Sequence, residues 1–552
     1  MTADSRCGVR AVADHGLSGS TGPTDLSGPT GLSGSTGPTP APEPAPARPG
    51  HEVATVVPVL DEAVAIGDLV TELRAAGSCC VLVVDSGSRD GTPDLARAAG
   101  AIVIDEPRRG YGRACLTGAD AACREHPVIA FLDGDGSCDP ADLPALVAAL
   151  ESADVALGRR VRERLEPGAL PWHARAGNAL VAAILRRRTG RAVHDLSPFK
   201  ALRRSALGVL DLDDPGFGWT VQLVARALGA TSLRISERPI GFRTRRGGTS
   251  KVSGSLRASI AAGRRMLRNA VVETRPRPVV ALMAKAPRAG HAKTRLAAGI
   301  GQTAALDLWT ACLRDLGSSV RRAARQDALG TIAFVPAADE VAPVARSLGP
   351  GWEVIPQERT GLGGAITDAT LEAQRRRAPA VVVISGDNPT LPAALLSDAL
   401  AALQDAPAVL GPCPDGGYYL IGFRLESGAS ALGSQLDRAF EAARLGGSGA
   451  FDSTHRALTA EGLAPAILRP WADIDTADDL AALAASVRTA PQGTAPATRA
   501  WLERYADLVA QVVRGDAVRG DAVRGDAVRD DAVRDDAVAR PTASVSATTI
   551  EG

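Results

Sequence analysis

Residues 128–140 read VIAFLDGDGSCDP, an apolar run that leads into two carboxylates with one glycine between them. A short apolar run bounded by turn residues is typical of a buried strand in a parallel sheet. Asp133 and Asp135 follow this strand, and their i,i+2 spacing points both side chains in the same direction. Because ligands of open α/β sheets bind outside the carboxyl ends of the strands, the segment predicts an α/β fold with a binding site at this edge.

The two carboxylates predict a metal site. Hard oxygen donors at an open sheet edge suit Mg²⁺ or Mn²⁺ carrying a diphosphate group, so Asp133 and Asp135 are the expected ligands. Without a cation, two close carboxylates repel each other and the pKa of one of them rises. A lone pair of this spacing is common by chance, but a second strand that ends in Asp85 strengthens the interpretation.

Strand and helix patterns alternate twice along the chain. The first series contains EVATVVPVL, CVLVVD, AIVIDEP and VIAFLDGD, and the second begins after RPRP with VVALMAKAP, TIAFVP, WEVIPQ, AVVVISGD and AVLGPCP. We expect two tandem α/β nucleotide-binding domains with mainly parallel sheets, at residues 51–274 and 275–487. Residues 1–50 and 488–552 carry near-repeats such as LSGSTGP and RGDAV, and their low complexity predicts a disordered arm and a linker with a repeat tail.

Composition excludes several classes of protein. The 552 residues include 62 basic and 62 acidic side chains, so the formal net charge is zero. This balance argues against a nucleic-acid protein that works by bulk positive charge. No apolar run approaches the ~20 residues of a membrane helix, and the eight cysteines form no CxxC pair. We expect a reduced, cytoplasmic chain without structural zinc, and leave open a peripheral association with membranes.

The segment VVDSGSRDGT places Asp85 at a strand end, with Asp90 shortly after it. A carboxylate at this position can accept hydrogen bonds from a nucleobase or a ribose. The alternative is a turn that leads into a capped helix. The two interpretations are compatible.

Six motifs occur in order between residue 52 and about residue 270: PVLDEA, VVDSGSRDGT, RRGYGRACLTGA, FLDGDGSCDP, GWTVQ and RRGGTSK. Together they resemble glycosyltransferase family 2, nearest to its dolichol-phosphate mannosyltransferase-like and bacterial polyprenyl-type branch. The resemblance implies a GT-A fold, an NDP-sugar donor, a divalent metal and inversion at the anomeric carbon. It implies a nucleobase, ribose and phosphate pocket formed by Pro58, Asp61, Glu62, Asp85, Asp90, Arg246 and Lys251.

The resemblance also implies catalytic roles. Asp135 would work with the metal to stabilise the departing NDP, and Asp195 is the candidate general base for a hydroxyl acceptor. A phosphate acceptor would need no base, and Arg159 and Arg175 could hold it, although a solvated basic helix face is the alternative for both.

The motif GWTVQ departs from the family pattern. Gln222 stands where many relatives have a glutamate, three residues after Trp219, and both are candidate substrate contacts. A glutamine can orient a sugar hydroxyl but cannot take a proton. The sugar and the acceptor therefore stay open, with a polyprenyl phosphate or a small molecule as the candidates for the acceptor.

The second domain carries its own phosphate-binding pattern. The loop MAKAPRAGHAKTRLAAGIG follows the first strand and lacks the GxxxxGK[ST] pattern of a P-loop. Its backbone amides and basic side chains still suit nucleotide phosphates, and carboxylates follow later strands. The candidate residues are Lys285, Lys293, Arg295 and Asp415 for substrate, and Asp387 and Asp475 for a metal, with Asp387 also catalytic.

These motifs resemble an uncharacterised bacterial GT-A-like transferase family related to molybdenum-cofactor and phospholactate guanylyltransferases, over residues 279–487. The arginine of that family's GDLGERM-like segment is missing from TGLGGAITDA. Two hypotheses follow for this half: a nucleotidyltransferase-like or second glycosyltransferase-like domain, or a non-catalytic docking or nucleotide-sensing module. A nucleotide-dependent dehydrogenase is disfavoured because no GxGxxG follows the first strand of either domain.

Overall fold

Apolar runs of the two halves form two seven-stranded sheets in the computed structural model, which describes residues 53–247, 256–426 and 431–514. Helices pack on both faces of each sheet, so the central strands are buried over nearly their whole length. The predictions made for residues 1–50, for the repeats after residue 514 and for Lys251 lie outside the described residues.

The first half contains seven strands and eight helices among its described residues: β1 (Val53–Val59), α1 (Ala63–Ala75), β2 (Cys80–Asp85), α2 (Thr92–Ala98), β3 (Ile102–Asp105), α3 (Tyr111–Ala122), β4 (Val128–Phe131), α4 (Leu143–Ala149), β5 (Val155–Leu165), α5 (Trp172–Thr189), β6 (Lys200–Arg203), α6 (Arg204–Leu210), α7 (Trp219–Gly229), β7 (Ile235–Phe242) and α8 (Leu256–Glu273).

The second half continues the same alternation within the described ranges: β8 (Val279–Met283), α9 (Thr294–Ile300), α10 (Gln302–Asp327), β9 (Gly330–Val335), α11 (Val341–Leu348), β10 (Glu353–Pro356), α12 (Gly361–Arg375), β11 (Ala380–Ser385), α13 (Ala393–Asp405), β12 (Ala408–Pro412), β13 (Tyr418–Arg424), α14 (Leu432–Ala442), α15 (Ala450–Ala460), β14 (Pro465–Ile467), α16 (Asp479–Thr489), α17 (Pro496–Arg504) and α18 (Ala506–Val513).

The two sheets repeat one topology. Their strand orders are β3-β2-β1-β4-β6-β5-β7 and β10-β9-β8-β11-β13-β12-β14. Strand β6 in the first sheet and strand β13 in the second sheet each pair antiparallel with both neighbouring strands, and the other strand pairs are parallel. This confirms the predicted fold class. In both sheets the strand order reverses beside the first strand, which is where open α/β sheets bind ligands.

The packed chain extends beyond the predicted end of the second domain at residue 487. Helices α17 and α18 follow, and the indole of Trp501 in α17 donates to the carbonyl of Ala304, 3.0 Å away. The amide of Thr498 donates to Asp315 of α10 at 2.7 Å. Residues 496–513 are therefore helical rather than part of a linker. Among the described helices, none combines the length and the apolar character that a membrane span requires.

The two halves share direct contacts and belong to one compact unit. Asp211, after α6, is ion-paired with Arg321 and Arg325 of α10. The amide of Ser232 donates to Glu353 of β10 at 2.6 Å. Polar contacts of this kind join the segments after α6 and α7 of the first half to α10 and β10 of the second half.

Candidate functional site

The two carboxylates after β4 lie at the reversal of strand order in the first sheet. Gly134 separates them, and a Cβ there would be 2.6 Å from a methyl carbon of Val59 in β1, so only glycine allows this approach. Asp135 is buried, with one carboxylate oxygen accepting from the amide of Ser137 at 2.9 Å. Within the described residues, the Oδ1 of Asp133 is buried and makes no well-formed hydrogen bond, and the hydroxyl of Tyr111, which lowers the pKa of Asp133, is likewise buried without a well-formed partner.

The environment of Asp133 fits a divalent cation. Burial and then the charge of Asp135 raise the pKa of Asp133 to about 6. An unpartnered buried carboxylate oxygen beside a second carboxylate is unfavourable unless a cation or another donor satisfies it. An all-oxygen donor pair suits Mg²⁺ or Mn²⁺. The predicted ligands are thus brought together in a suitable environment, and their role stays a prediction.

Arg245, rather than the adjacent Arg246, faces the carboxylates of the first sheet edge. Its guanidinium lies 3.1 Å from Glu62 and 2.8 Å from Asp135. The predicted phosphate ligand Arg246 instead reaches α1, where it lies 2.5 Å from Glu72 and 3.5 Å from Asp68. The motif RRGGTSK contains both arginines, but it could not show which of the two points towards the carboxylates, and phosphate binding by this loop stays a prediction.

The predicted nucleotide pocket is built from two loops that brace each other. Asp61, after β1, accepts from the amide of Arg89 at 2.9 Å, and Asp90, after β2, accepts from the amide of Ala63 at 2.9 Å. Asp85 accepts from the amides of Gly87 and Ser88, each at 3.1 Å. The turn interpretation of Asp85 is therefore satisfied, while binding of a nucleobase or ribose stays a prediction. Pro58 lies within β1, opposite Val84 of β2.

Asp195 forms a buried ion pair with Arg160. Its carboxylate lies 2.7 and 2.8 Å from the guanidinium of Arg160 and also accepts from the amides of Arg160 and Leu196. Burial alone would raise the pKa of Asp195, but hydrogen bonds and the charge of Arg160 outweigh it and lower the pKa. This arrangement makes Asp195 a poor proton acceptor. Arg159 and Arg175 are exposed, on β5 and α5.

Trp219 and Gln222 lie in the packed interior rather than at an open surface. Trp219 is fully buried, and its ring centroid lies 4.9 Å from that of Phe131. The side chain of Gln222 accepts from the amides of Asp213 and Asp214 and donates to Glu273 at 2.9 Å. The amide group of Gln222 thus holds this loop against α8, and a contact of Gln222 with a sugar hydroxyl stays a prediction.

Lys200 is a functional candidate that the sequence analysis missed. Its side chain is fully buried on β6, opposite Phe131, with the ammonium 3.3 Å from the hydroxyl of Thr220 and 5.2 Å from the centroid of the Trp219 ring. Burial lowers the pKa of Lys200 to about 8, while Cys115 and Asp133 act in the opposite direction. The scarcity of lysine in an arginine-rich chain was the signal that could have drawn attention to it.

The second sheet carries a separate cavity of about 890 Å³ at the equivalent edge. The ammonium of Lys293 lies 2.6 Å from Asp387 and 2.9 Å from Asp475. Burial lowers the pKa of Lys293, but the two carboxylates outweigh this and raise it. The structure thus brings together three predicted residues, and the exposed side chains of Lys285 and Arg295 line the same cavity.

The ammonium of Lys293 stands between the predicted metal ligands. A cation held by both Asp387 and Asp475 would therefore have to displace this ammonium. A second group, Cys413, Asp415 and Asp473, places one potential ligand atom of each residue within 4.8 Å of the others. Burial and the charge of Asp415 raise the pKa of Asp473 to about 6. Cys413 was not among the predicted ligands, because a single cysteine outside a CxxC pair carries no signal of its own.

Comparison with known proteins defines the class. A sequence model described as "Glycosyl transferase family 2" matches residues 55–210, and one described as "Uncharacterized protein conserved in bacteria (DUF2064)" matches residues 318–446. An uncharacterized glycosyltransferase of Mycobacterium bovis is 41% identical over 215 residues, covering 39% of this chain and 95% of that protein. The chain belongs to glycosyltransferase family 2 and is a transferase enzyme, as its first-half motifs predicted.

Two further proteins are similar to parts of the chain. An undecaprenyl-phosphate mannosyltransferase of Micrococcus luteus is 31% identical over 223 residues, covering 37% of this chain and 88% of that protein. The crystal structure of glucosyl-3-phosphoglycerate synthase from Mycobacterium tuberculosis with Mn²⁺, UDP and phosphoglyceric acid matches with 23% identity and a TM-score of 0.34, covering 41% of this chain and 79% of that one.

Proposed function

We propose that the carboxylate edge of the first sheet catalyses metal-dependent transfer of a sugar, with inversion, from an NDP-sugar. The observation that carries this proposal is the unpartnered buried oxygen of Asp133 beside Asp135, at the reversal of strand order. Asp133 and Asp135 would hold Mg²⁺ or Mn²⁺, which supplies positive charge to the departing diphosphate when bound. Arg245 would supply further charge at the same place, because its guanidinium already lies between Glu62 and Asp135.

We further propose that the acceptor is a phosphate rather than a hydroxyl. The ion pair with Arg160 lowers the pKa of Asp195, so this carboxylate is poorly suited to remove a proton. An ionised phosphate needs no general base. The exposed side chains of Arg159 and Arg175 would bind it, since guanidinium groups pair with phosphate oxygens in a bidentate manner. A relative named for undecaprenyl phosphate is consistent with a polyprenyl phosphate in this role.

For the second half we propose binding of a nucleotide phosphate at the cavity around Lys293. The exposed side chains of Lys285 and Arg295, which line this cavity, supply the charge that favours this use. Lys293 does not supply it, since its ammonium is already paired with Asp387 and Asp475. Whether turnover occurs there is the point that separates the two hypotheses for this half. Replacing Asp387 by Asn distinguishes them: a catalytic half loses its own turnover, whereas a docking or sensing module leaves the activity of the full chain unchanged.

The proposal for the first half is tested by Asp135→Asn in the full chain. We expect NDP release from an NDP-sugar panel, with Mn²⁺ and a polyprenyl phosphate, to fall at least ~10²-fold, a loss on the scale of removing one transition-state charge contact. Asp139→Asn is the matched control. Asp139 accepts from the amide of Ala141 at 3.1 Å as a cap, a role that asparagine can keep, but it also pairs with Arg243 at 2.8 Å. Asp94→Asn is therefore added as a second control, because among the described residues Asp94 pairs only with Arg97, at an exposed position. Full activity in Asp135→Asn would remove the metal role.

A further inference from the structure

A second cavity lies between the two halves, away from both carboxylate edges. It has a volume of about 570 Å³ and is lined on one side by α5 and α8 of the first half and on the other by the end of α12 of the second half. Four arginines face it, Arg187 and Arg188 from α5 and Arg376 and Arg377 after α12, and none of its lining residues is acidic. It shares no lining residue with the cavity around Lys293.

Three of these four guanidinium groups have no carboxylate partner among the described residues. Arg376 is neutralised, because it lies 2.8 Å from Glu353 and 2.8 Å from Glu372. Arg188 donates to the uncharged hydroxyl of Thr274 at 2.7 Å. Within the described ranges, Arg187, Arg188 and Arg377 have no carboxylate within the 4.0 Å that defines an ion pair. The cavity is therefore surrounded by about three positive charges.

The partial negative charge at helix C-termini offsets only part of the positive charge of these arginines. Helices α5, α8 and α12 all end at the cavity, and the end of each carries roughly half a negative charge. Three such ends offset about one and a half of the three uncompensated charges, which leaves a net positive cavity. The backbone at Arg377 adds to the argument, because its φ is +57°, a left-handed conformation that favours glycine over arginine. An arginine at this position costs conformational energy that a guanidinium contact would offset.

We propose that this cavity binds a diphosphate group, either inorganic pyrophosphate or the diphosphate of a nucleotide. A multivalent oxyanion can reach guanidinium groups on both walls and pair with each in a bidentate manner, which a single carboxylate cannot do across the cavity. The volume falls within the ~300–1,000 Å³ of small-molecule sites. The side chains of Ile184 and Val271 line the same cavity and provide an apolar surface. Binding needs no divalent metal, since the arginines supply the counter-charge.

A bound diphosphate would link the two halves. Arg187 and Arg188 belong to the first half and Arg377 to the second, so the anion replaces repulsion between the walls with attraction. A ligand that binds the folded state raises the melting temperature by mass action. Diphosphate binding would thus stabilise the full chain without using either carboxylate edge.

The test is calorimetric titration and thermal unfolding of the full chain with pyrophosphate, and separately with UDP and GDP, at constant ionic strength in EDTA. The key variant is Arg377→Gly, which removes a guanidinium and relieves the left-handed backbone, so weakened binding cannot be attributed to misfolding. Arg375→Gln is the matched control, because Arg375 is paired with Glu372 and does not line the cavity.

We expect saturable binding of pyrophosphate or of a nucleotide without metal, weakened about tenfold or more by Arg377→Gly, which corresponds to about 1.4 kcal/mol or more. Arg375→Gln should bind as the unaltered chain does. Among binding that Arg377→Gly weakens, equal affinity for pyrophosphate and nucleotides would identify the diphosphate alone as the ligand, and tighter nucleotide binding would add the nucleoside. Absence of binding by all three anions, or binding that Arg377→Gly leaves unchanged, would overturn the proposal.

Discussion

At the scale of single residues, the partners of a side chain decide its chemistry. Both oxygens of Asp195 accept hydrogen bonds, and the guanidinium of Arg160 that pairs with them is itself buried, 5.1 Å from the centroid of the Phe242 ring. A motif position identified Asp195 as an acid near the site. Its ion pair argues that it holds Arg160 in place, which is a structural rather than a proton-transfer role.

Asp195→Asn tests this distinction. Removing one partner of a buried pair leaves Arg160 uncompensated and should lower the free energy of unfolding by about 3–5 kcal/mol at neutral pH. The folded pKa of Asp195 is lowered, so its contribution to stability is present above its unfolded pKa and is lost as the pH falls through the folded pKa. The stability difference between the two proteins, measured by urea unfolding, should therefore narrow in acid.

The pH dependence of sugar transfer tests whether Asp195 is instead a general base. If Asp195 is not a base, the folded fraction of Asp195→Asn should keep the shape of the kcat/KM profile with a phosphate acceptor. Loss of the acidic limb in that profile, with normal folding by circular dichroism, would restore the role of general base.

Sequence motifs predicted candidate site residues but not the directions of their side chains. The closeness of Asp133 and Asp135 was predictable from their i,i+2 spacing after a strand, although both lie beyond β4 and Asp135 lies in a turn, so strand pleating does not set their directions. The choice between Arg245 and Arg246, and the burial of Gln222, depend on loop packing against α1 and α8. That packing involves contacts more than a hundred residues apart in one case and about fifty in the other, and no local pattern encodes it.

At the scale of elements, the start of α3 depends on a close approach of backbone. A Cβ added to Gly112 would lie 2.0 Å from the carbonyl oxygen of Asp214, and the amide of Arg113 donates to the carbonyl of Pro215 at 3.1 Å. Gln222 holds the same loop from the other side. The glycines of the RRGYGR segment thus allow a loop to pack on α3.

Gly112→Ala should lower the free energy of unfolding by about 1–3 kcal/mol, because the added methyl group meets rigid backbone and the loop must shift. Gly67→Ala in α1 is the matched control, since a Cβ there has no atom within 4 Å. That change should be neutral or should stabilise by roughly 0.5–1 kcal/mol through helix propensity. Equal unfolding midpoints in urea for the two variants would contradict the role assigned to Gly112.

The strands were predictable because apolar runs bounded by turn residues are typical of buried strands. Helices α17 and α18 were not predicted. They have nine and eight residues, and isolated helices of this length are marginal in water. Their stability depends on contacts such as Trp501 with α10, which the local sequence does not reveal.

At the scale of the whole molecule, the ion pairs of Asp211 connect the halves. Asp211 has a φ of +45°, and Arg325 lies 2.7 Å from its carboxylate. Asp211→Asn keeps a residue that tolerates this backbone but removes the charge. We expect the free energy of unfolding to fall by about 1–3 kcal/mol. We also expect the endotherm in scanning calorimetry to broaden or to divide in two. Asp94→Asn, at an exposed pair with Arg97, should stay within ~0.5 kcal/mol. Identical endotherms for both variants would show that Asp211 does not couple the halves.

The repeated topology places one carboxylate edge in each half, and the central claim is that sugar transfer belongs to the first. Calorimetric binding of nucleoside diphosphates with Mn²⁺, corrected for binding in EDTA, tests this claim most directly. We predict a Mn²⁺-dependent component that Asp135→Asn removes and Asp387→Asn leaves in place. An undiminished Mn²⁺-dependent component in Asp135→Asn, or its complete loss in Asp387→Asn, would contradict the account.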